Sequence, residues 1–138
     1  MTLIEKQREL IVQLSRLRGA QERLVWLVER ARQRPRLAEA LKTDAFRIEG
    51  CLSRLWFAPE FRAGRCFFQS DSDSQIVRAI AGLLCEFYSG QPPEEIAAHD
   101  PGFLGQLGIT QHLTPNRRNG LSRLRERIRV FALEQCAP

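Results

Sequence analysis

The chain has 138 residues, 43% hydrophobic and 27% charged, which suits one soluble globular domain and excludes a disordered or fibrous polypeptide. No apolar run approaches the ~18 residues of a membrane span, and the N-terminus mixes apolar and charged residues too early for a secretory signal, so a cytoplasmic location is expected. The net charge of +5 is almost all arginine and fits attraction to an acidic protein partner or to nucleic acid.

In chain order, Thr2-x-x-Glu5 has the form of a capping box and predicts a helix beginning near Leu3, with Leu10, Leu14 and Leu17 at helical spacing. Gly19 interrupts. Leu24, Leu27, Val28 and Ala31 then mark one face of a second helix that Pro35 stops, and residues 36–45 read as irregular. The period next changes to two. Phe46 and Ile48 alternate with Arg47 and Glu49, Gly50-Cys51 interrupts, and Ser53, Leu55 and Phe57 alternate again. Pro59 and Gly64 bracket a turn-rich segment before Cys66 to Gln69. These features predict three short strands in an antiparallel meander.

The run Ser70-Asp71-Ser72-Asp73 is dense in helix-capping residues. Ile76, Ile80, Leu83, Leu84 and Phe87 follow as a strong helical stripe that Gly90 closes. Pro92-Pro93-Glu94 and Asp100-Pro101 suit the starts of short helices, and Thr114-Pro115 suits the start of the last one, whose apolar face is Leu121, Leu124, Ile128 and Phe131. Residues 135–138 are expected to fray. The expected fold is a single α+β domain over 1–138, with a three-stranded antiparallel sheet flanked by N-terminal and C-terminal helices.

The four cysteines, Cys51, Cys66, Cys85 and Cys136, are too far apart for a Cys-x-x-Cys motif and are read as reduced thiols. Cys66 and Cys85 fall in a strand and a buried stripe, as core residues do. Cys136 falls in the tail. Cys51 follows Gly50 between two predicted strands, where a loop tip can carry a thiol to another protein; a small buried hydrophobe is the plainer reading of such a cysteine.

Three motifs then carry a resemblance. Gly50-Cys51-x-Ser53-x-x-Trp56, Asp71-Ser72-Asp73 followed by Ile76-Val77, and Gln111-His112-Leu113-Thr114-Pro115-Asn116-Arg117 with Gly120 together resemble the SufE family of sulfur acceptors. Arg34-Pro35-Arg36-Leu37 matches a fourth family stretch loosely, and the likeness runs from about residue 20 to residue 131. Leu52, Leu55 and Ser70 stand where family members often carry Gln, Val and Gly.

The resemblance implies a SufE/IscU-like fold and a relay function. Cys51 would take persulfide sulfur from a SufS- or CsdA-like cysteine desulfurase, stimulate that enzyme, and pass the sulfur to an iron–sulfur scaffold or another acceptor. Pyridoxal phosphate would belong to the desulfurase, and no cofactor or metal is expected on this chain. Gly50, Ser53, Arg54, Asp71, Asp73, His112 and Arg117 would support Cys51 or dock the partner. Plainer readings make Asp71 and Asp73 helix caps, His112 a structural hydrogen-bonding residue and Trp56 a core residue. Two rival functions are an iron–sulfur scaffold, which needs several converging thiolates, and nucleic-acid binding through Arg117, Arg118, Arg123, Arg125, Arg127 and Arg129.

Overall fold

The computed structural model describes residues 1–49, 53–111 and 113–136. Six helices and one hairpin make up its regular structure. Helix α1 (Leu3–Ser15) is capped as the sequence predicts, with the Thr2 hydroxyl accepting from the Glu5 N–H at 3.2 Å. Gly19, at φ +73°, turns the chain into α2 (Gly19–Arg32), because a left-handed backbone costs glycine nothing. Two short 3-10 turns, Glu39–Leu41 and Asp44–Phe46, occupy the stretch read as irregular.

The sheet has two strands among the described residues, β1 (Leu55–Arg62) and β2 (Arg65–Ser72), paired antiparallel from Leu55↔Ser72 to Arg62↔Arg65. Ala63 and Gly64 join them with φ of 51° and 77°, the two positive angles of a type I′ turn that matches the twist of a hairpin. Pro59 therefore lies inside a strand. Its opposite residue, Phe68, sends its N–H away from β1 to the Ser89 hydroxyl at 2.9 Å. The pair is not hydrogen-bonded, so the proline removes no ladder bond.

The expected third strand reduces to a single bridge, Arg47↔Trp56, with the Ile48 N–H donating to the Leu55 carbonyl at 2.8 Å. The turn at Asp44–Phe46 takes up the residues that would have extended this pairing, and Phe46 packs sideways against a small cluster instead. β2 is longer than expected and absorbs Ser70 to Ser72. The cap of α3 (Gln75–Tyr88) falls to Ser74, whose hydroxyl accepts from the Val77 N–H at 3.3 Å.

The hairpin has two buried faces. Leu55, Phe57, Cys66 and Phe68 enter the main core, where Phe57 stacks on Phe68. Trp56 and Ala58 point the other way and close a second, smaller core with Leu37, flanked by Leu41 and Phe46. Helix α3 packs against β2, α2, α6 and α1 and is the centre of the main core. After it, α4 (Pro93–Ala98) and α5 (Phe103–Gln106) are short, and α6 (Pro115–Gln135) is the longest helix, capped by Thr114.

The contacts of α6 set its direction. Arg127 lies over Phe57, and Phe131 packs edge-on to Phe68, which sits opposite Pro59. As α6 runs toward its C-terminus it therefore moves along β1 toward the hairpin turn. Its first turn points to the other end of the sheet, where β1 begins and α3 starts.

Candidate functional site

Gly50, Cys51, Leu52 and His112 lie outside the described residues, as do Ala137 and Pro138 of the tail. The two stems that lead to the cysteine are described. On one side, the Ile48 N–H bonds to Leu55. On the other, Arg54 and Asp73 are joined three times. The Arg54 N–H donates to Asp73 Oδ1 at 2.9 Å, Arg54 Nε donates to Oδ2 at 3.3 Å, and the Asp73 N–H returns to the Arg54 carbonyl at 3.3 Å. Asp73 is thus a clasp between the second stem and the entrance to α3, and not a helix cap. Ser53, next to this clasp, is partly exposed.

Asp71 does not cap α3 either. It is fully buried on the Trp56 face of the hairpin and gathers four chain segments. Its Oδ2 accepts from Arg36 Nε at 2.9 Å and from the Leu37 N–H at 3.2 Å, with Lys42 Nζ at 3.3 Å. Oδ1 accepts from the Ser72 N–H at 2.8 Å and faces Arg78 Nε at 3.4 Å. Burial pushes this carboxyl upward, but the bonds from Arg36, the Ser72 N–H and Lys42 outweigh it and hold the group below its ordinary range. Three cations around one carboxylate leave positive charge in excess.

Trp56 anchors the same region. Lys42 and Arg54 stand over its indole at 5.5 and 5.6 Å, so the ring carries two cations. The first turns of α3 and α6 point to this end of the sheet, and helix N-termini favour negative charge. Arg117 sits in that first turn of α6, half-buried, with its N–H bonded to the Thr114 hydroxyl at 3.3 Å. The structure thus joins Arg54 to Asp73, sets Asp71 beside them across Trp56, and directs Arg117 toward the same end. Arg36, Lys42 and Arg78 escape a reading of the sequence, because an ionic partner of a buried carboxylate leaves no periodic signal.

The other cysteines have different environments. Cys66 is buried, and burial first, then Cys136 and Glu94, pushes its thiol up to about 11. Cys85 is buried in α3, and its thiol is pushed up to about 12 by burial, against smaller opposing effects of Ser70 and Arg34. Both are protonated at neutral pH. Cys136 is half-buried, and its Sγ contacts the Ala132 carbonyl at 3.4 Å. No three His, Cys, Asp or Glu side chains converge as metal ligands among the described residues. No helix among them is long and apolar enough to cross a membrane.

A helical layer packed on a two-stranded hairpin, with the residues that flank Cys51 on both sides tied to one end of the sheet, defines a small α+β domain. The family of Fe–S metabolism associated domains called SufE matches residues 8–132. An uncharacterised SufE-like protein of Rhizobium etli is 32% identical over 122 residues, covering 85% of this chain and 82% of the relative. The chain therefore belongs to the SufE family.

A second uncharacterised SufE-like protein, from Synechocystis, is 32% identical over 72% of this chain and 60% of its own length. The SufE-like protein 1 of Arabidopsis thaliana, described as chloroplastic/mitochondrial, is 38% identical over 62% of this chain, which spans 23% of that relative. The fold is also that of a hypothetical protein from Thermus thermophilus, with a TM-score of 0.76, 23% identity, and coverage of 94% of this chain and 95% of the other.

Proposed function

We propose that this chain is a sulfur carrier that receives persulfide sulfur on Cys51 from a cysteine desulfurase and delivers it for iron–sulfur cluster assembly. The observation that carries the reading is the Gly50-Cys51-x-Ser53-x-x-Trp56 motif in a SufE-family chain whose stems on both sides of the cysteine are tied to the scaffold. The raised thiols of Cys66 and Cys85 support it, since a protonated, buried thiol is a poor nucleophile.

The transfer is one thiol–disulfide-type exchange. The Cys51 thiolate attacks the outer sulfur of the partner's persulfide, the partner's S–S bond breaks, and the partner's cysteine leaves as a thiolate. No electrons are gained or lost overall, and Cys51 ends as the persulfide. Clearing the partner's cysteine frees it for another turnover, which is how the carrier stimulates the desulfurase. The cations on Trp56 and the two helix N-termini favour the anionic forms that the exchange requires. Gly50, Ser53, Arg54, Asp71, Asp73, His112 and Arg117 remain candidates for supporting Cys51 or docking the desulfurase.

The test is intact-protein mass spectrometry after incubation with a cysteine desulfurase and free cysteine. The wild-type chain is expected to gain one sulfur, about 32 Da, and Cys51→Ser to gain none while also failing to stimulate sulfur release. Sulfur appearing on Cys136 in place of Cys51 would refute the assignment.

A further inference from the structure

Two cysteines that sulfur transfer leaves unused come together where the end of α6 lies over the turn end of the hairpin. Phe68 of β2 and Phe131 of α6 meet edge-on at 5.9 Å, which sets the two elements in register. From Phe68, two residues toward the hairpin turn bring β2 to Cys66, on the same face and about 7 Å along. From Phe131, five residues in the same direction bring the chain of α6 to Cys136, about 7.5 Å along. The two cysteines therefore stand at one level of the helix–sheet interface.

Their side chains turn to the same interior. Cys66 is buried in the main core, in the cluster that also holds Ala132, one turn before Cys136. The Cys136 Sγ folds back along the helix to lie 3.4 Å from the Ala132 carbonyl. After burial itself, Cys136 is the strongest influence on the Cys66 thiol, ahead of Glu94. A disulfide requires Cα atoms within about 7 Å. Cys136 has the freedom to meet that requirement, because its backbone has left the helix at ψ 141° and its N–H bond to the Leu133 carbonyl is its last helical tie. Cys136 is half-buried and Cys66 is fully buried, so an oxidant reaches Cys136 first.

We propose that Cys66 and Cys136 form a reversible intramolecular disulfide that clamps the end of α6 to β2 under oxidising conditions. The oxidant is a low-molecular-weight disulfide such as oxidised glutathione. The Cys136 thiolate attacks one of its sulfurs, the S–S bond breaks, and one glutathione thiolate leaves. Cys66 then gives its proton to a thiolate and attacks Cys136 Sγ, releasing the second glutathione. The protein loses two electrons and two protons, and the two glutathione thiols carry them. Burial of Cys66 makes the second step slow and makes Cys66 a poor leaving group once the bond has formed. Closing the chain from 66 to 136 restricts the unfolded state, so the clamp adds stability. The pair is separate from Cys51 and does not depend on the sulfur-transfer reading.

The experiment treats the full chain carrying Cys51→Ser with oxidised glutathione, so that no disulfide forms through Cys51. Remaining thiols are then blocked with iodoacetamide, and the protein is digested with trypsin for mass spectrometry. The expected product is the peptide 66–78 joined to the peptide 130–138, separated again by dithiothreitol. Before digestion, the oxidised protein is expected to unfold at least about 5 °C above the reduced one. Adding Cys136→Ser, at a half-buried position, is expected to remove both the joined peptide and the rise in Tm. A glutathione adduct that stops at Cys136, a link to Cys85 in place of Cys66, or an unchanged Tm in the linked protein would each overturn the proposal.

Discussion

The residue on which this end of the molecule depends is Asp71. It is fully buried, while Lys42 and Arg78 beside it keep only 15% and 14% of their side-chain surface. Replacing it with Asn would leave these cations facing a neutral group. Asp71→Asn is expected to cost about 3 kcal/mol in urea denaturation at pH 7, the range for breaking one side of a buried pair. The pH dependence follows from the direction of its shift. The folded-state carboxyl is held below the unfolded value, so its stabilisation is fully present above ordinary carboxylate pH. It is lost as pH falls through the lowered folded value. The gap between wild type and Asp71→Asn should therefore close in acid and stay constant between pH 6 and 8.

Asp73 belongs to the same scale but does a different job. Both it and Arg54 are largely exposed, so their ion pair adds little stability. Its value is geometric, since three hydrogen bonds hold Arg54, on the C-terminal side of the cysteine, to the entrance of α3. Asp73→Ala is expected to lower stability by less than about 1 kcal/mol and to raise the alkylation rate of Cys51 by iodoacetamide severalfold. An unchanged rate would separate the clasp from access to the cysteine.

Among the elements, the hairpin was legible in part. The apolar alternation around Leu55 and Phe57 located β1, and Gly64 located the turn, but Pro59 argued for an earlier end. Only the pairing register reveals that position 59 needs no donor. Ala63 sits at φ 51°, a region that costs a non-glycine residue about 1 kcal/mol. Ala63→Gly is accordingly expected to be neutral or to raise Tm by about 2 °C, measured by differential scanning calorimetry. The third strand was overread because Phe46 and Ile48 alternate as strand residues do. Alternation reports which side chains are apolar, and a 3-10 turn can bury Phe46 as well as a strand can.

At the scale of the whole molecule, α1 is fastened across the end of α3. Lys6 Nζ donates to the carbonyls of Glu86, Phe87 and Ser89 at 3.2, 2.9 and 3.1 Å, completing bonds that a helix C-terminus leaves open. Burial lowers the Lys6 pKa, with Glu86 opposing. His99 Nε2 pairs with Gln7 Oε1 at 2.8 Å, so α1 also meets the segment after α4. Lys6→Met is expected to cost about 1–2 kcal/mol. It should also speed hydrogen exchange at Phe87 to Gly90 without altering the Cys51 stems.

The sequence by itself determined the helices, their caps at Thr2 and Thr114, the burial of Cys66 and Cys85, and the family through its motifs. These are local properties, written in spacing and in the hydrogen-bonding habits of single residues. Tertiary structure alone decided that Ser74 caps α3, that Asp71 is a buried hub and Asp73 a clasp, and that α6 directs Arg117 to the end of the sheet where β1 begins. Each of these depends on which distant group reaches a given atom, as Arg36 and Lys42 reach Asp71 from a stretch with no periodic pattern. Segments far apart in the chain meet only when the core brings them together, and that meeting fixes the charge around the cysteine stems.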